Sequence, residues 1–520
     1  MLLTDLSVPK VYADALTLHQ QGQRKAAEAL YRKILTSQPD HADALHLLGV
    51  TATQAGKYMD AVRFIDRALR LNKDTSSFHA NLGAALLQLG REEDAAKSCR
   101  TALSLNHQEA VAHFTIGRIF HQQKKLAEAE ASYRSALRIQ PSHSLALMNL
   151  GNLLQDKGAF EAAEWCYRKL LRQTPKSAEV SKNFGVILAL QGRLNESILW
   201  LREAVELEPD NADYHTALAQ ILLCAGQFRE GWEHYEWRWK TKGFPSKQRK
   251  FDKPQWDGSP LDGRTLLVYG EQGYGDIIQF CRLLSQIAGP GKIVFEVYKP
   301  LVTLMESLET PAPLTVVSAG EELPSFDVHC ALMSLPRLLG ITLDTIPAAV
   351  PYLKADPARV AYWRDKTAGL DGFRVGLCWA GGTVTPRNAQ RSLAPELLNP
   401  LGNIPSVCFI SLQKRMPDQP DLKIPDLSLA DWTKDLADFA DTAALMESLD
   451  LIISADTAVV HLAGALGRPV WLLNRFAPCW RWMLGMGDSP WYPTLRQFRQ
   501  QKIDNWDDAV GQVYQGLGRG

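Results

Sequence analysis

Small and apolar positions return every 34 residues through the first half of the chain. Gly49, Gly83, Gly117, Gly151 and Gly185 share one register, and Ala15 and Ala219 extend it at either end. Each repeat reads as two helical blocks, with a small residue in the first, a second small residue in the second and an aromatic or apolar residue four positions on, because paired helices approach closely only where side chains are small. Gly22, Ala27, Tyr31 and Pro39 fill these positions in the first repeat; Ala129, Tyr133, Ala136 and Pro141 in the fourth; Gly158, Ala163, Tyr167 and Pro175 in the fifth. The prolines end the second helix of a repeat, and Lys73 and His107 take their place in the second and third. The pattern predicts six full helix pairs and a partial seventh.

Beyond residue 260 the period changes to short apolar runs alternating with helical stretches, as in parallel-sheet α/β units. TLLVYG (265–270) and KIVFEVY predict strands, with EQGYG as a glycine-rich turn and DIIQFCRLLSQIA as the helix after it. A second set runs through RVGLCWAGG (374–382), VCFISLQ (407–413), LDLIISA (449–455) and PVWLL (469–473). The expected class is α plus α/β: a repeat superhelix over 1–243, a connection over 244–263, and two facing Rossmann-like lobes over 264–365 and 366–520.

The first half resembles tetratricopeptide arrays, which implies a groove that holds a protein partner. The alternatives are a dimerisation surface or a passive spacer. Asn81, Asn149 and Asn183 keep the 34-residue spacing, and their carboxamides either clamp a bound backbone or face solvent. At the junction, GWEHYEWRWKTKGFPSKQRKFDKPQWDG carries Trp232, Trp237, Trp239 and Trp256 among basic residues. Such interleaving suits single-stranded nucleic acid. Because the stretch continues the last helix, sealing the array against the next domain is the preferred reading. Pro245, Pro254 and Pro260 stiffen the connection to the α/β half.

Composition narrows the function classes. Lys plus Arg and Asp plus Glu number 57 each, so no global charge draws the chain to nucleic acid or acidic lipid. The eight cysteines are scattered singly and read as reduced thiols. MLLTDLSVPK lacks a signal-peptide core, and no run approaches membrane-spanning length. A cytoplasmic location without a membrane span is expected, and the oligomeric state is left open.

Candidate chemistry clusters where predicted strands turn into helices. In the loop from Gly270 to Asp276, Gly273 and Gly275 allow close approach of a substrate, and Glu271 and Asp276 are two carboxylates on one turn. Either is a candidate base toward an acceptor hydroxyl, while Asp276 also stands where a helix cap belongs. In SADTAVVHLAGALGRPVWLL, Asp456 and Thr457 sit at a turn whose following helix points its amino terminus at the sheet edge, favouring phosphate. His461 is one turn further, either a donor to the departing nucleotide or a core histidine. Trp379, Gly381 and Gly382 with the basic run Arg387 to Arg391 follow another strand, with Arg391 the candidate diphosphate contact. Gln413 is a candidate for the nucleotide base. There is no Asp-x-Asp, HExxH or metal-ligand spacing, so the expected chemistry uses no metal and no cofactor beyond a nucleotide-sugar substrate.

EQGYGDIIQF, GLCWAGG with downstream QRSL, DFADTAALMESLDLIISADTAVVHLAGALGRPVW and FAPCWRWMLGMGDSPWYPTLRQFRQ resemble the GT-B glycosyltransferases, in particular the heptosyltransferase-like glycosyltransferase family 9. The resemblance covers most of residues 260 to 500. It implies Asp276 as base and an Asp-Thr-Gly-x-x-His motif for donor phosphates, here Asp456, Thr457, Ala458, Val459, Val460 and His461. Alanine stands where that motif has glycine, so a heptose donor is not implied. With its repeats, the chain also resembles bacterial flagellin glycosyltransferases and, in architecture, O-GlcNAc transferases, which implies a protein acceptor. The function implied is transfer of a sugar to Ser or Thr of a protein held by the repeats. The rivals are a noncatalytic scaffold that binds a nucleotide sugar, and a transferase for a saccharide or lipid acceptor.

Overall fold

The computed structural model describes residues 7–381, 391–414, 424, 427–477 and 479–518. The chain divides into two compact units, Met1–Ile187 and Leu188–Gly520. The class expected from the sequence, helical repeats followed by α/β, is the class observed.

The first unit is built of helix pairs: Val8–Gln20 with Arg24–Ser37, Ala42–Gln54 with Tyr58–Leu71, Ser76–Gln88 with Glu92–Leu105, Ala110–Gln122 with Leu126–Ile139, and Ser144–Asp156 with Phe160–Gln173. Helix Ala178–Leu190 crosses the boundary between the units. The recurring glycine has a steric cause. A Cβ on Gly49, Gly83 or Gly117 would lie 2.5 Å from Ile65, 2.4 Å from Cys99 Sγ or 2.6 Å from Tyr133, always the residue sixteen positions later on the partner helix. Tyr133 opposite Gly117 and Tyr167 opposite Gly151 are fully buried, as is Tyr31 in the first repeat. The turn inside each pair uses a left-handed residue, Gly22 at φ 75° in the first and Lys124 at φ 61° in the fourth.

The second unit contains the remaining repeat helices, Leu194–Leu207, Ala212–Cys224 and the eight-residue Phe228–Tyr235, then a 3-10 turn at Glu236–Lys240. Two parallel sheets follow. β1 (Thr265–Tyr269), β2 (Lys292–Val297), β3 (Leu314–Ser318) and β4 (Val328–Ala331) lie in the order β3-β2-β1-β4. β5 (Phe373–Cys378), β6 (Val407–Ser411), β7 (Leu429–Ala430), β8 (Leu451–Ala455), β9 (Val470–Asn474) and β10 (Leu495–Arg499) lie in the order β10-β9-β8-β5-β6-β7. Strand order reverses between β1 and β4 and between β5 and β8, so each sheet has a switch point with a crevice at its carboxyl edge, where α/β proteins bind ligands.

Trp232 and Tyr235 of the last repeat helix share one core with Ile277, Phe280, Trp480 and Trp491 of the α/β part. The Trp232 ring lies 5.3 Å from Trp480 and 6.1 Å from Phe280. The helix expected over 276–288 is shorter than its apolar pattern: it runs Tyr274–Phe280 and tightens to a 3-10 turn over Cys281–Gln286. There the buried Arg282 donates to the Gln279 carbonyl at 2.9 Å and to the Trp491 carbonyl at 2.6 Å.

Candidate functional site

The loops singled out in the sequence stand at the two switch points. After β1, Gly273 precedes helix Tyr274–Phe280, and its N–H donates to Asp276 Oδ2 at 3.0 Å. The other Asp276 oxygen is ion-paired with Arg481, which belongs to the second sheet's half of the unit. Burial works against charge on Arg481, but the field of Asp276 outweighs it and holds the guanidinium above its usual range. Asp276 is therefore both a cap and an inter-lobe partner.

At Gly275 the two halves of the unit pack without room for a side chain. A Cβ there would lie 2.7 Å from His461 Cδ2 and 3.5 Å from the Ala458 α-carbon. Helix Ala458–Ala465 is thus packed on helix Tyr274–Phe280 through a glycine, a histidine and the alanine at 458. His461 is 3% exposed, stacks on Trp482 at 5.0 Å and shares a 3.0 Å hydrogen bond between Nδ1 and the Tyr492 hydroxyl. Burial, assisted by the nearby Arg481, pushes its pKa down to about 3, so the imidazole is neutral at physiological pH. Behind it, Arg282 lies 4.6 Å from the Tyr492 ring centre and 4.1 Å from Tyr352.

Glu271, five residues before Asp276, has another environment. It is 2% exposed, and its oxygens accept from Arg238 Nε at 3.1 Å, Arg238 Nη2 at 2.7 Å and the Met333 N–H at 3.1 Å. Burial raises its pKa and Arg238 opposes that rise. The Met333 bond crosses the crevice between β1 and β4, and Arg238 comes from the turn after the last repeat helix. This places Glu271 in a buried joint between the turn after the last repeat helix and the residues that follow β4.

At the second switch point, Thr457 caps helix Ala458–Ala465, accepting from the Val459 N–H at 3.2 Å, with Ser454 Oγ at 3.1 Å. Asp456 lies beside it, 4.0 Å from Arg391. Gln413 turns inward: its Oε1 accepts from the Trp379 and Ala380 N–H groups at 3.1 and 2.8 Å, fixing the loop after β5. The Trp379 side chain is in the core of the second sheet, 2% exposed, and the Gly381 N–H donates to Ser392 Oγ at 3.2 Å. Gly382 and Arg387 lie outside the described residues.

The structure adds cations that received no role from the sequence. Arg475 follows β9 directly and Arg499 ends β10, both at the same carboxyl edge. Arg499 donates to the Arg475 carbonyl at 3.2 Å and the Met483 carbonyl at 2.7 Å, and burial lowers its pKa. Asp456 lies in the electrostatic field of both Arg481 and Arg499. Among the described residues, neither Arg475 nor Arg499 has an ion-paired carboxylate. Arg391, Arg475, Arg481 and Arg499 thus outnumber Asp276 and Asp456, a balance that suits an anionic ligand. Position at a strand end was the only signal available for Arg475 and Arg499, and for Arg499 it required recognising β10.

In the repeats, the asparagine register is locally bonded: Asn81 to His46 Nε2 at 3.1 Å, Asn149 to the Leu145 carbonyl at 2.8 Å, and Asn183 to Met148 Sδ at 3.3 Å. No helix among the described residues is long and apolar enough to cross a membrane.

Comparison with known proteins identifies the repeats. Tetratricopeptide repeat models match residues 18–84 and 120–182 and, separately, 82–144, and a TPR repeat model matches 185–226. The helix pairs are tetratricopeptide repeats, modules that bind protein partners. Protein FlbA of Caulobacter vibrioides is 31% identical over 324 residues, covering 58% of this chain and 54% of FlbA, so the chain spans about half the length of that relative. Among solved structures, pilF of Pseudomonas aeruginosa is 19% identical with a TM-score of 0.35, covering 40% of this chain and 96% of its own. YrrB, described as a TPR protein with an unusual peptide-binding site, is 17% identical with a TM-score of 0.28, covering 35% and 95%.

Proposed function

We propose that the chain is a protein glycosyltransferase that moves a sugar from a nucleotide-sugar donor to a Ser or Thr hydroxyl of a polypeptide held by the repeats. One observation carries this reading. Asp276 and Arg481 meet where the two sheets' switch-point helices pack together, beside a cation-rich carboxyl edge. The acceptor oxygen bonds to the anomeric carbon as the bond from that carbon to the diphosphate breaks, and the hydroxyl proton passes to Asp276. The electron pair leaves with the diphosphate, whose charge is met by the amides at the start of helix Ala458–Ala465 and by Arg391, Arg475, Arg481 and Arg499. Arg481 changes partner in this scheme, leaving Asp276 for the phosphate, so donor binding frees the base before the acceptor arrives. His461, neutral and held by Tyr492 and Trp482, orients the helix junction and presents no added charge.

The purified chain is to be incubated with a panel of nucleotide sugars and a proteome from cells lacking it, followed by mass spectrometry. A sugar mass on Ser or Thr of an acceptor is expected. Asp276→Asn should lower the transfer rate about 100-fold or more while leaving donor affinity within a few-fold. Donor binding without any modified protein would overturn the transferase reading and leave the nucleotide-sugar-binding scaffold in its place; absence of both would overturn the two together.

A further inference from the structure

The strap that joins the repeats to the first sheet carries a charge pattern that the transferase reading does not use. Between Trp237 and Lys253 seven Lys and Arg residues stand against the single acid Asp252, in a chain whose total charge is zero. The side chains divide by role. Arg238 is buried on Glu271, and Arg249 is ion-paired with Glu296 of β2 while lying 4.7 Å from the Phe251 ring centre. Lys242, Lys247, Lys250 and Lys253 are exposed and have no ion pair among the described residues.

The path of the strap places those lysines near the candidate site. Ser246 Oγ accepts from the Gln272 N–H at 2.8 Å, on the loop that leads to Asp276. Arg249 lies 5.6 Å from the ring centre of Tyr269, the last residue of β1, and grips Glu296 near the end of β2. At its far end the Trp256 N–H donates to the His329 carbonyl of β4 at 2.8 Å. The strap therefore begins at the carboxyl edge of the first sheet, pinned there by Ser246 and Arg249, and ends alongside the start of β4, where Trp256 holds it.

The indoles decide which anion this suits. Trp237 stacks on His215 at 3.8 Å and carries Lys240 4.0 Å from its ring centre. Trp239 is taken by Arg238 at 4.7 Å and the edge of Phe244 at 5.4 Å, and Trp232 and Trp256 are buried. With the rings spent on packing, a nucleic acid strand finds charge without a stacking platform. An extended acidic polypeptide needs only the lysines.

We propose that Lys242, Lys247 and Lys250 bind an acidic stretch of polypeptide, which on the transferase reading flanks the acceptor Ser or Thr. The test uses the full chain without nucleotide sugar, so its result does not depend on whether transfer occurs. The probes are a fluorescein-labelled peptide of alternating Glu and Ser, its Lys counterpart, and labelled oligouridylate, followed by anisotropy. Wild type should bind the acidic peptide about tenfold more weakly at 300 than at 50 mM NaCl, and should not bind the Lys peptide. The triple reversal Lys242→Glu, Lys247→Glu, Lys250→Glu should weaken acidic-peptide binding about tenfold or more. The Lys→Arg triple should remain within about twofold of wild type. No acidic-peptide binding by wild type, or equal binding by the reversal variant, overturns the proposal. So does oligouridylate bound more tightly than the peptide and released by the same reversal. If peptide binding behaves as expected but no sugar is transferred, the acidic-partner surface stands and the transferase reading falls.

Discussion

Replacing Arg238 by Met separates the two carboxylates of the glycine-rich loop experimentally. Both ionised side chains of the Arg238–Glu271 pair are 1% exposed. Removing the guanidinium strips Glu271 of two of its three hydrogen-bond donors, leaving the Met333 N–H alone. A buried carboxylate so abandoned costs about 3–5 kcal/mol. Glu236, which also contacts Arg238, is 28% exposed and recovers water in its place. Adding Glu271→Leu removes the stranded charge, and the remaining cost is chiefly the orphaned Met333 N–H, about 1–3 kcal/mol. The double variant should therefore be more stable than Arg238→Met by about 2 kcal/mol. Urea unfolding followed by tryptophan fluorescence reads this selectively, since of the 14 tryptophans all but Trp165 lie in the unit Leu188–Gly520. If the single and double variants unfold together, or Arg238→Met costs under about 1 kcal/mol, the joint is not what holds the loop. If Glu271→Gln instead abolishes transfer with no change in unfolding midpoint, Glu271 is the base and the assignment to Asp276 is wrong.

Two other substitutions test the lobe junction. Gly275→Ala sets a methyl 2.7 Å from His461, which Trp482 and Tyr492 hold in place; a loss of about 1–3 kcal/mol in stability, read from the urea midpoint, is expected, and unchanged stability would mean that the helices separate freely. His461 has a pKa of about 3 in the folded chain against 6.5 for the free side chain. Its stabilising contribution is thus full above pH 6.5 and is lost as pH falls toward 3, because the unfolded chain takes the proton first. At about pH 5 the loss should be about 2 kcal/mol relative to about pH 7.5. His461→Gln should flatten that part of the stability profile, and an unaltered slope would show that other groups produce it.

The repeats were legible because one steric demand, a missing Cβ opposite the residue sixteen positions on, recurs at a fixed interval in Gly49, Gly83 and Gly117. The α/β half was legible where strands are apolar runs, as at β1, β2 and β8, but not at β3, β4, β7 or β10. Among these, β7 has two residues and β10 alternates Arg, Gln and Phe. At the site, the sequence located the loops but not the directions of their side chains. Trp379 and Gln413 follow strands as a ligand-facing residue does, yet both turn inward. Arg481 and Arg282 were invisible in any local pattern because their partners lie 205 and 209 positions away. Burial alone divides Glu271 from Asp276, and burial at that loop depends on a repeat helix more than thirty residues upstream.

That dependence gives the tryptophan-rich junction its meaning. Helix Phe228–Tyr235 is shorter than the other second helices, and its Trp232 and Tyr235 enter the core around Phe280 and Trp480. The turn after it then delivers Arg238 to Glu271, while the Tyr235 hydroxyl accepts from Gln272 Nε2 at 3.0 Å. The last repeat thus grips two successive residues of the loop that carries Asp276. In the unit Leu188–Gly520, the end of the protein-binding array and the loop holding the candidate base form one buried piece. Strain on the final helix pair is therefore expected to reach Asp276 through the Glu271 and Gln272 contacts. A substitution at Trp232 is accordingly expected to alter transfer through the loop as well as through stability.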